Sequence, residues 1–595
     1  MEKVLHRDAW EKANKRLAAK MFAEYMYEDM IQPEQEEKEG KLLFKLPVSE
    51  TKFYRFTGYQ RLFDSYDIQP DSIEVHCGNG GGEKVSATEL LLDLKPLIGM
   101  SAETCGHLTK EFQSTLLADV HLLAQAKTSD ELTELPYEEL EGEMTGHPWI
   151  TYNKGRIGFD YEDYLKYAPE QKRETKLLWI AVRKTRARFQ AVKGLNCSRL
   201  LEQELDEAVW QKFHQHLAEK GLESCQYFYM PVHEWQWNNV IIQQFAEDLA
   251  FNQIVFLGEG TDTYLPQQSI RTFSNTTDQR RHHVKLPMSI LNTLVYRGLP
   301  AERTVIAPEI TEHIKGIADR DPFLRDECRV ILPGEIASIN VDHSLYSRLE
   351  KAPYQYLEML GTIWRESIYT YLEKDERAIT LAALTYEDEN GKPFIESLIQ
   401  KSGLQPAQWL DQFYQTVMPP LLHYLYQYGT VFSPHGQNTI LVLKDYAPHR
   451  LAVKDFVDDV NISDQPFPEL AALSGELKKV LRSEPPEGLT QFIFTGLFVC
   501  HLRYVSNAMV KRELISEHEF WALLAKAIQD YQKKFPQLEE RFRLFNFFTP
   551  ALTKLCLNRN RMVDYGYADG EDRPHASEFG KVSNPLASFA EVSSS

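Results

Sequence analysis

SPHGQNTILVLKDYAPHRLAVKDF, residues 433–456, is the stretch whose reading decides the fold. A polar His-Gly-Gln-Asn turn precedes two apolar runs, NTILVLK and RLAVKDF, separated by the turn residues DYAPH. Apolar runs on either side of such a turn predict a β-hairpin. The hairpin would bring together Asn438, at its entry, and Asp455, at its exit. An amide oxygen beside a carboxylate suits Mg²⁺, which prefers hard oxygen ligands and is commonly shared with nucleotide phosphates.

Outward from the hairpin, helices predominate from about residue 390, and the tail from residue 571 is rich in Ser, Pro and charge, which predicts poor order. Between about 145 and 385, IVFLGEGTDTYLP and HHVKLPM read as strands, and residues 289–297 and 354–373 as helices. The first 140 residues read as mostly helical, with Leu17, Met21, Phe22, Tyr25 and Met26 at helical spacing. The class is therefore α+β. CGNGGGEK, residues 77–84, is a flexible loop or a phosphate loop; no strand-loop-helix frame ending in Lys-Ser/Thr supports the second.

The chain has 595 residues and a net charge of −20, which disfavours nucleic acid and anionic membrane as partners. No run approaches 18 apolar residues, and the N-terminus is charged from the start, so neither a membrane span nor a secretory signal is expected and the location should be cytoplasmic. Seven scattered cysteines without a CxxC pair fit reduced thiols.

Basic residues concentrate against this acidic background. Residues 270–303 hold Arg271, Arg280, Arg281, Lys285, Arg297 and Arg303 against only Asp278 and Glu302. A helix over 289–297 would place Ser289, Thr293 and Arg297 on one face, suited to phosphate or carboxylate; the alternative is a solvated basic face. GHPWITYNKGRIGF, residues 146–159, packs His147, Lys154 and Arg156 around glycines, as a polyanion site or a tight surface turn. Kinases use a comparable Asn-hairpin-Asp device, but Gln437 follows His-Gly where a kinase places its catalytic Asp. A carboxylate nucleophile needs no such base, since it is already ionised near neutral pH. Its difficulty is repulsion from triphosphate, roughly 4 kcal/mol for two unit charges at 4 Å and intermediate dielectric. Clustered Arg, Lys, His and Mg²⁺ answer that need, so the inventory fits carboxylate adenylation better than phosphorylation. PVHEWQW lacks the second His of a zinc-protease motif and reads as core, with His233 and Gln236 as satisfied polar groups.

GHPWITYNKGRIGF, PVHEWQW, QQSIRTFS, HHVKLPMSILNTLVYR, SPHGQNTILVL and LAVKDF, from about residue 146 to 560, together resemble the IucA/IucC family of siderophore synthetases that act without nonribosomal peptide synthetases. LAVKDFVDDVNIS resembles the hydroxamate branch, of aerobactin or alcaligin type. The resemblance implies a hand-like fold: a helical thumb (1–143), fingers (144–388), a kinase-like palm (389–570) and a disordered tail (571–595). It implies ATP and Mg²⁺, an acyl-adenylate, pyrophosphate release and attack by an amine or hydroxylamine, in a homodimer acting on small molecules. Ser269, Arg271, Thr272, Lys285, Arg297, His435, Gln437, Asn438 and Asp455 would bind ATP, with Asn438 and Asp455 on the metal. His147, Thr293, Arg297, His435 and Arg503 would hold the carboxylate, and Arg297, His435 and Lys285 would be catalytic. Lys454, Asp458 and Lys554 are further neighbours, and Glu234 stands where the family commonly has Pro. The carboxylate is citrate, a citryl half-product or a succinyl-hydroxydiamine. Two other classes stay in view: a small-molecule kinase using the Asn438-hairpin-Asp455 site, and an iron-handling protein.

Overall fold

The computed structural model describes residues 3–78 and 84–590. Most of the glycine-rich stretch, residues 79–83, thus lies outside the described residues.

The decisive hairpin forms. Thr439–Lys444 and Ala447–Val453 pair antiparallel, and Glu376–Thr380 adds to the first of them. Asp445 and Tyr446 turn the chain with φ of 51° and 61°, the left-handed pair whose twist matches the strands. The Lys454 N–H donates to the Asn438 carbonyl at 3.0 Å. Asp455, at φ 71°, then diverts the chain into a short helix, Phe456–Asp459. Helix Pro406–Tyr428 packs on the hairpin; it opens on Pro406, whose missing N–H costs nothing there, and stops at Gly429, φ 56°. Helix Glu517–Lys534 covers its other side.

The middle of the chain builds an eight-stranded antiparallel sheet. One half runs Arg188–Ala191, Glu335–Asn340, Gly361–Arg365 and His283–Lys285. The other half runs Thr272–Asn275, Ile254–Pro266, Thr175–Arg183 and Tyr227–Val232. Its central strands are buried on both faces, and helix Ala301–Arg320 packs against Glu335–Asn340. Both expected strands, IVFLGEGTDTYLP and that in HHVKLPM, belong to this sheet.

Four expectations are corrected. The first 140 residues are not mostly helical: after helix Arg7–Tyr27 comes a five-stranded antiparallel sheet spanning residues 34–77, and only then helices Ala87–Ile98 and Ala102–Ala124. Residues 289–297 are not a helix but a hairpin, Met288–Asn292 against Val295–Arg297, turned at Thr293 and Leu294 with φ of 45° and 78°. Residues 354–373 hold the strand Gly361–Arg365 between short 3₁₀ turns, because their apolar side chains complete the large sheet. The tail folds through residue 590: Ser577–Ser583 pairs antiparallel with Ala551–Cys556, and Arg573 forms an ion pair with Glu358. Residues 591–595 lie outside the described residues. Among the described residues one helical run, Pro486–Lys511, is long and apolar enough to cross a membrane, but 72% of its 18-residue apolar window is buried inside the protein.

Candidate active site

A cavity of about 640 Å³ lies between the 146–159 segment, the loop at Gln268–Ser269, the Met288–Asn292/Val295–Arg297 hairpin and the His-Gly-Gln-Asn turn. Ser269, Thr293, Arg297, His435 and Gln437 line it, with His147, Lys154 and Arg156 of the 146–159 strap. The residues expected from separate motifs thus converge, although Ser289 does not share a helix face with Thr293 and Arg297. Ser289 instead bonds Gln236 on both its N–H (2.8 Å) and its hydroxyl (3.0 Å).

Arg297 is a cation without a carboxylate partner among the described residues. Its Nη2 donates to the Thr293 carbonyl at 3.3 Å, and its Nε is buried without a partner. Burial, with Arg271 and Arg573 nearby, lowers its pKa to about 9. A guanidinium in that condition favours an incoming anion.

The histidines are donors rather than charges. His147 Nδ1 accepts the N–H groups of Trp149 (3.2 Å) and Ile150 (3.1 Å), so Nε2 carries the proton, 3.7 Å from Cys500 Sγ. Burial, with Lys20, His435 and Arg297 adding repulsion, holds its pKa well below the ordinary value. His435 Nδ1 likewise accepts from Gln437 N–H at 3.3 Å, and burial takes its pKa down to about 4. A neutral imidazole with a fixed tautomer offers one aimed N–H. Gly436 makes that turn possible, since a Cβ there would lie 3.0 Å from Ala382 Cα and 3.1 Å from His501 Nδ1.

Deeper lies a charged nest. Lys285 is ion-paired with both Asp455 and Asp458, and Arg271 Nη2 reaches Asp458 at 2.9 Å. Asn438 Nδ2 bonds Asp459, so its Oδ1 is the atom available to an electrophile. Thr272 sits in the sheet opposite Lys285, its N–H held by Ser269 Oγ at 3.1 Å. Glu335, 1% exposed, has both carboxylate oxygens without a partner. Burial and the nearby Asp455 push its pKa up to about 8. Among the described residues no group of three or more His, Cys, Asp or Glu is arranged to hold a metal by itself. The donors present, Asn438, Asp455 and the orphaned Glu335, are nevertheless all hard oxygens, which fits a cation completing its shell with phosphate.

Three expected site residues are placed elsewhere or already engaged. Arg503 does not line the cavity. It is buried against Glu24 (2.9 Å) and stacked over Tyr27, away from the cavity wall, which corrects its reading as a carboxylate ligand. Lys554 is paired with Asp29 at 2.7 Å. Arg156 lines the cavity, but its guanidinium is held two-pronged by Glu170. Conversely, Glu335, Asp459 and the tail residues Arg573, His575 and Glu578 belong to the site or its wall. Only Asp459, in the acidic run DFVDD, stood next to a motif that drew attention.

Residues 136–386 match the IucA / IucC family. The chain is 41% identical to the rhizobactin siderophore biosynthesis protein RhbF of Rhizobium meliloti, over 98% of this chain and 96% of that one. The chain belongs to the IucA/IucC family. It is also 34% identical to an Escherichia coli aerobactin synthase, over 98% of each chain. The solved structure of aerobactin synthetase IucC from Klebsiella pneumoniae superposes with a TM-score of 0.86 at 31% identity, covering 98% of each chain. ATP-bound aerobactin synthetase IucA from the same pathogen shares the fold at 18% identity and a TM-score of 0.77. Residues 407–570 also match the description "ferric iron reductase FhuF-like transporter". Within the IucA/IucC family the mixed α/β architecture described above is thus a shared one.

Proposed function

We propose that this member of the IucA/IucC family is an ATP-dependent siderophore synthetase. It activates a carboxylate as an acyl-adenylate, releasing pyrophosphate, and transfers the acyl group to an amine or hydroxylamine to give an amide or hydroxamate. The observation that carries this reading is Arg297: a buried-edge guanidinium with no internal counter-ion, facing a cavity that His147 and His435 also line, each a neutral imidazole whose Nδ1 is already an acceptor. Those three groups fit a substrate carboxylate, and Thr293 lines the same wall.

The nest suits triphosphate. Lys285 and Arg271 are held by carboxylates that a phosphate chain would displace, and Ser269, Thr272 and Gln437 would complete the cradle. Asn438, Asp455 and Glu335 would hold Mg²⁺, which would neutralise phosphate charge. Two relatives carry citryl or citrate in their names, which favours a citrate-derived acid, with a succinyl-hydroxydiamine as the alternative. In this reading residues 1–143, 144–388 and 389–570 act as thumb, fingers and palm.

The test is adenylation trapped with hydroxylamine over a panel of such acids, with pyrophosphate and AMP as readout. ADP without pyrophosphate would overturn the reading in favour of the kinase class. Tight ferric-complex binding without nucleotide turnover would favour iron handling, the function suggested by the name matched at residues 407–570.

A further inference from the structure

A second cavity, of about 860 Å³, lies behind the strap. Gly146, His147, Pro148, Asn153, Lys154 and Thr385 line both cavities, so the strap is a shared wall. The two sides differ in sign. The first has three carboxylates against four Lys and Arg, plus four histidines; the second has eight carboxylates against six Lys and Arg. A chamber with excess carboxylate raises the local concentration of cations such as alkyl-ammonium ions, whereas the first chamber favours anions.

Lys20, from helix Arg7–Tyr27, stands at the wall on the second side. Its Nζ donates to the carbonyls of His147 (2.6 Å) and Ile150 (2.8 Å). A neutral amine has two N–H bonds; both are used there, and the lone pair is left. Burial, reinforced by Lys154 and opposed by Glu24, Asp119 and Cys500, lowers its pKa to about 7.

We propose that the second cavity is the entry and binding chamber of the amine nucleophile, and that Lys20 accepts the proton from the attacking nitrogen. This rests on the adenylation reading above. The amine, having lost its extra proton to solvent, forms the C–N bond with its lone pair. The bond from the carbonyl carbon to the AMP oxygen breaks, AMP leaves with that electron pair, and the N–H proton passes to Lys20 Nζ. Substrate acid and nucleotide then occupy one side of the strap and the nucleophile reaches the acyl carbon from the other.

The experiment compares two rates in the full chain: pyrophosphate exchange, which reads adenylation alone, and condensation with α,ω-diamines of three to five carbons as probe. Lys20→Arg keeps donors for both carbonyls but cannot shed its proton; Lys20→Met removes both functions. Condensation should fall at least about 100-fold in each, the usual worth of a general base, while exchange stays within a few-fold in Lys20→Arg, which keeps the bonds that hold the strap at His147. Glu387→Lys, on the chamber wall, should raise the diamine KM several-fold with exchange unchanged. Wild-type condensation in Lys20→Arg would overturn the base, and an unmoved KM in Glu387→Lys would overturn the chamber. Exchange without condensation for any diamine in the wild type would overturn the amine class. Absence of exchange itself would instead sink the adenylation reading.

Discussion

At the scale of single residues, the same side-chain type plays opposite parts according to its partners. Arg297 has no counter-ion and Arg503 has one, and their replacements should part accordingly. Arg297→Ala should cut pyrophosphate release at least about 100-fold, as losing one preorganised donor does, with little change in melting temperature. Arg503→Ala leaves Glu24 buried and unpaired, so it should cost about 3–5 kcal/mol in urea unfolding. His435 gives a third expectation. Its folded pKa of about 4 lies below the unfolded value, so the unfolded state binds more protons between pH 6.5 and 4. The wild type should therefore lose about 1–3 kcal/mol relative to His435→Gln as pH falls through that window, with no difference in slope above it. The cation excess around residue 297 was readable in the chain because charge against an acidic background is a local property. Glu335 was not, because its meaning comes from Asp455, some 120 positions away.

At the scale of elements, reading succeeded where a turn and its flanks agreed. The 433–456 hairpin carries apolar runs on both sides of polar turn residues, and it formed with Asn438 and Asp455 at adjacent ends. Residues 289–297 misled because Ser289, Thr293 and Arg297 fall at helical spacing, while the left-handed turn at Thr293-Leu294 contains neither Gly nor Asn to announce it. The five-stranded sheet of residues 34–77 was hidden by charged, exposed strand faces such as EQEEK, which lack an apolar alternation. The HGQN turn offers a test at this scale. Gly436→Ala forces its new methyl toward Ala382 and His501, displacing the His435 N–H by a fraction of an ångström or more. Adenylation should fall by about tenfold or more, since misplacement near 1 Å costs up to about 100-fold, while the melting temperature stays close to that of the wild type.

At the scale of the whole molecule, the working cavity draws its wall from segments as far apart as Met144 and Glu578. Truncation after residue 570 would remove Arg573, His575 and Glu578 and unpair the strand Ala551–Cys556. It should abolish adenylation and lower the melting temperature, with pyrophosphate release and calorimetry as the measurements. Composition could not foretell that wall, since Ser, Pro and charge read as disorder unless a partner strand is known. Lys20 and Glu578 also impose an order of events during synthesis. A nascent chain leaving the ribosome exposes Lys20 among its first residues, yet holds no finished cavity until Glu578 has emerged. On the proposed adenylation reading, a truncated or unfinished polypeptide therefore could not spend ATP on an activated acid.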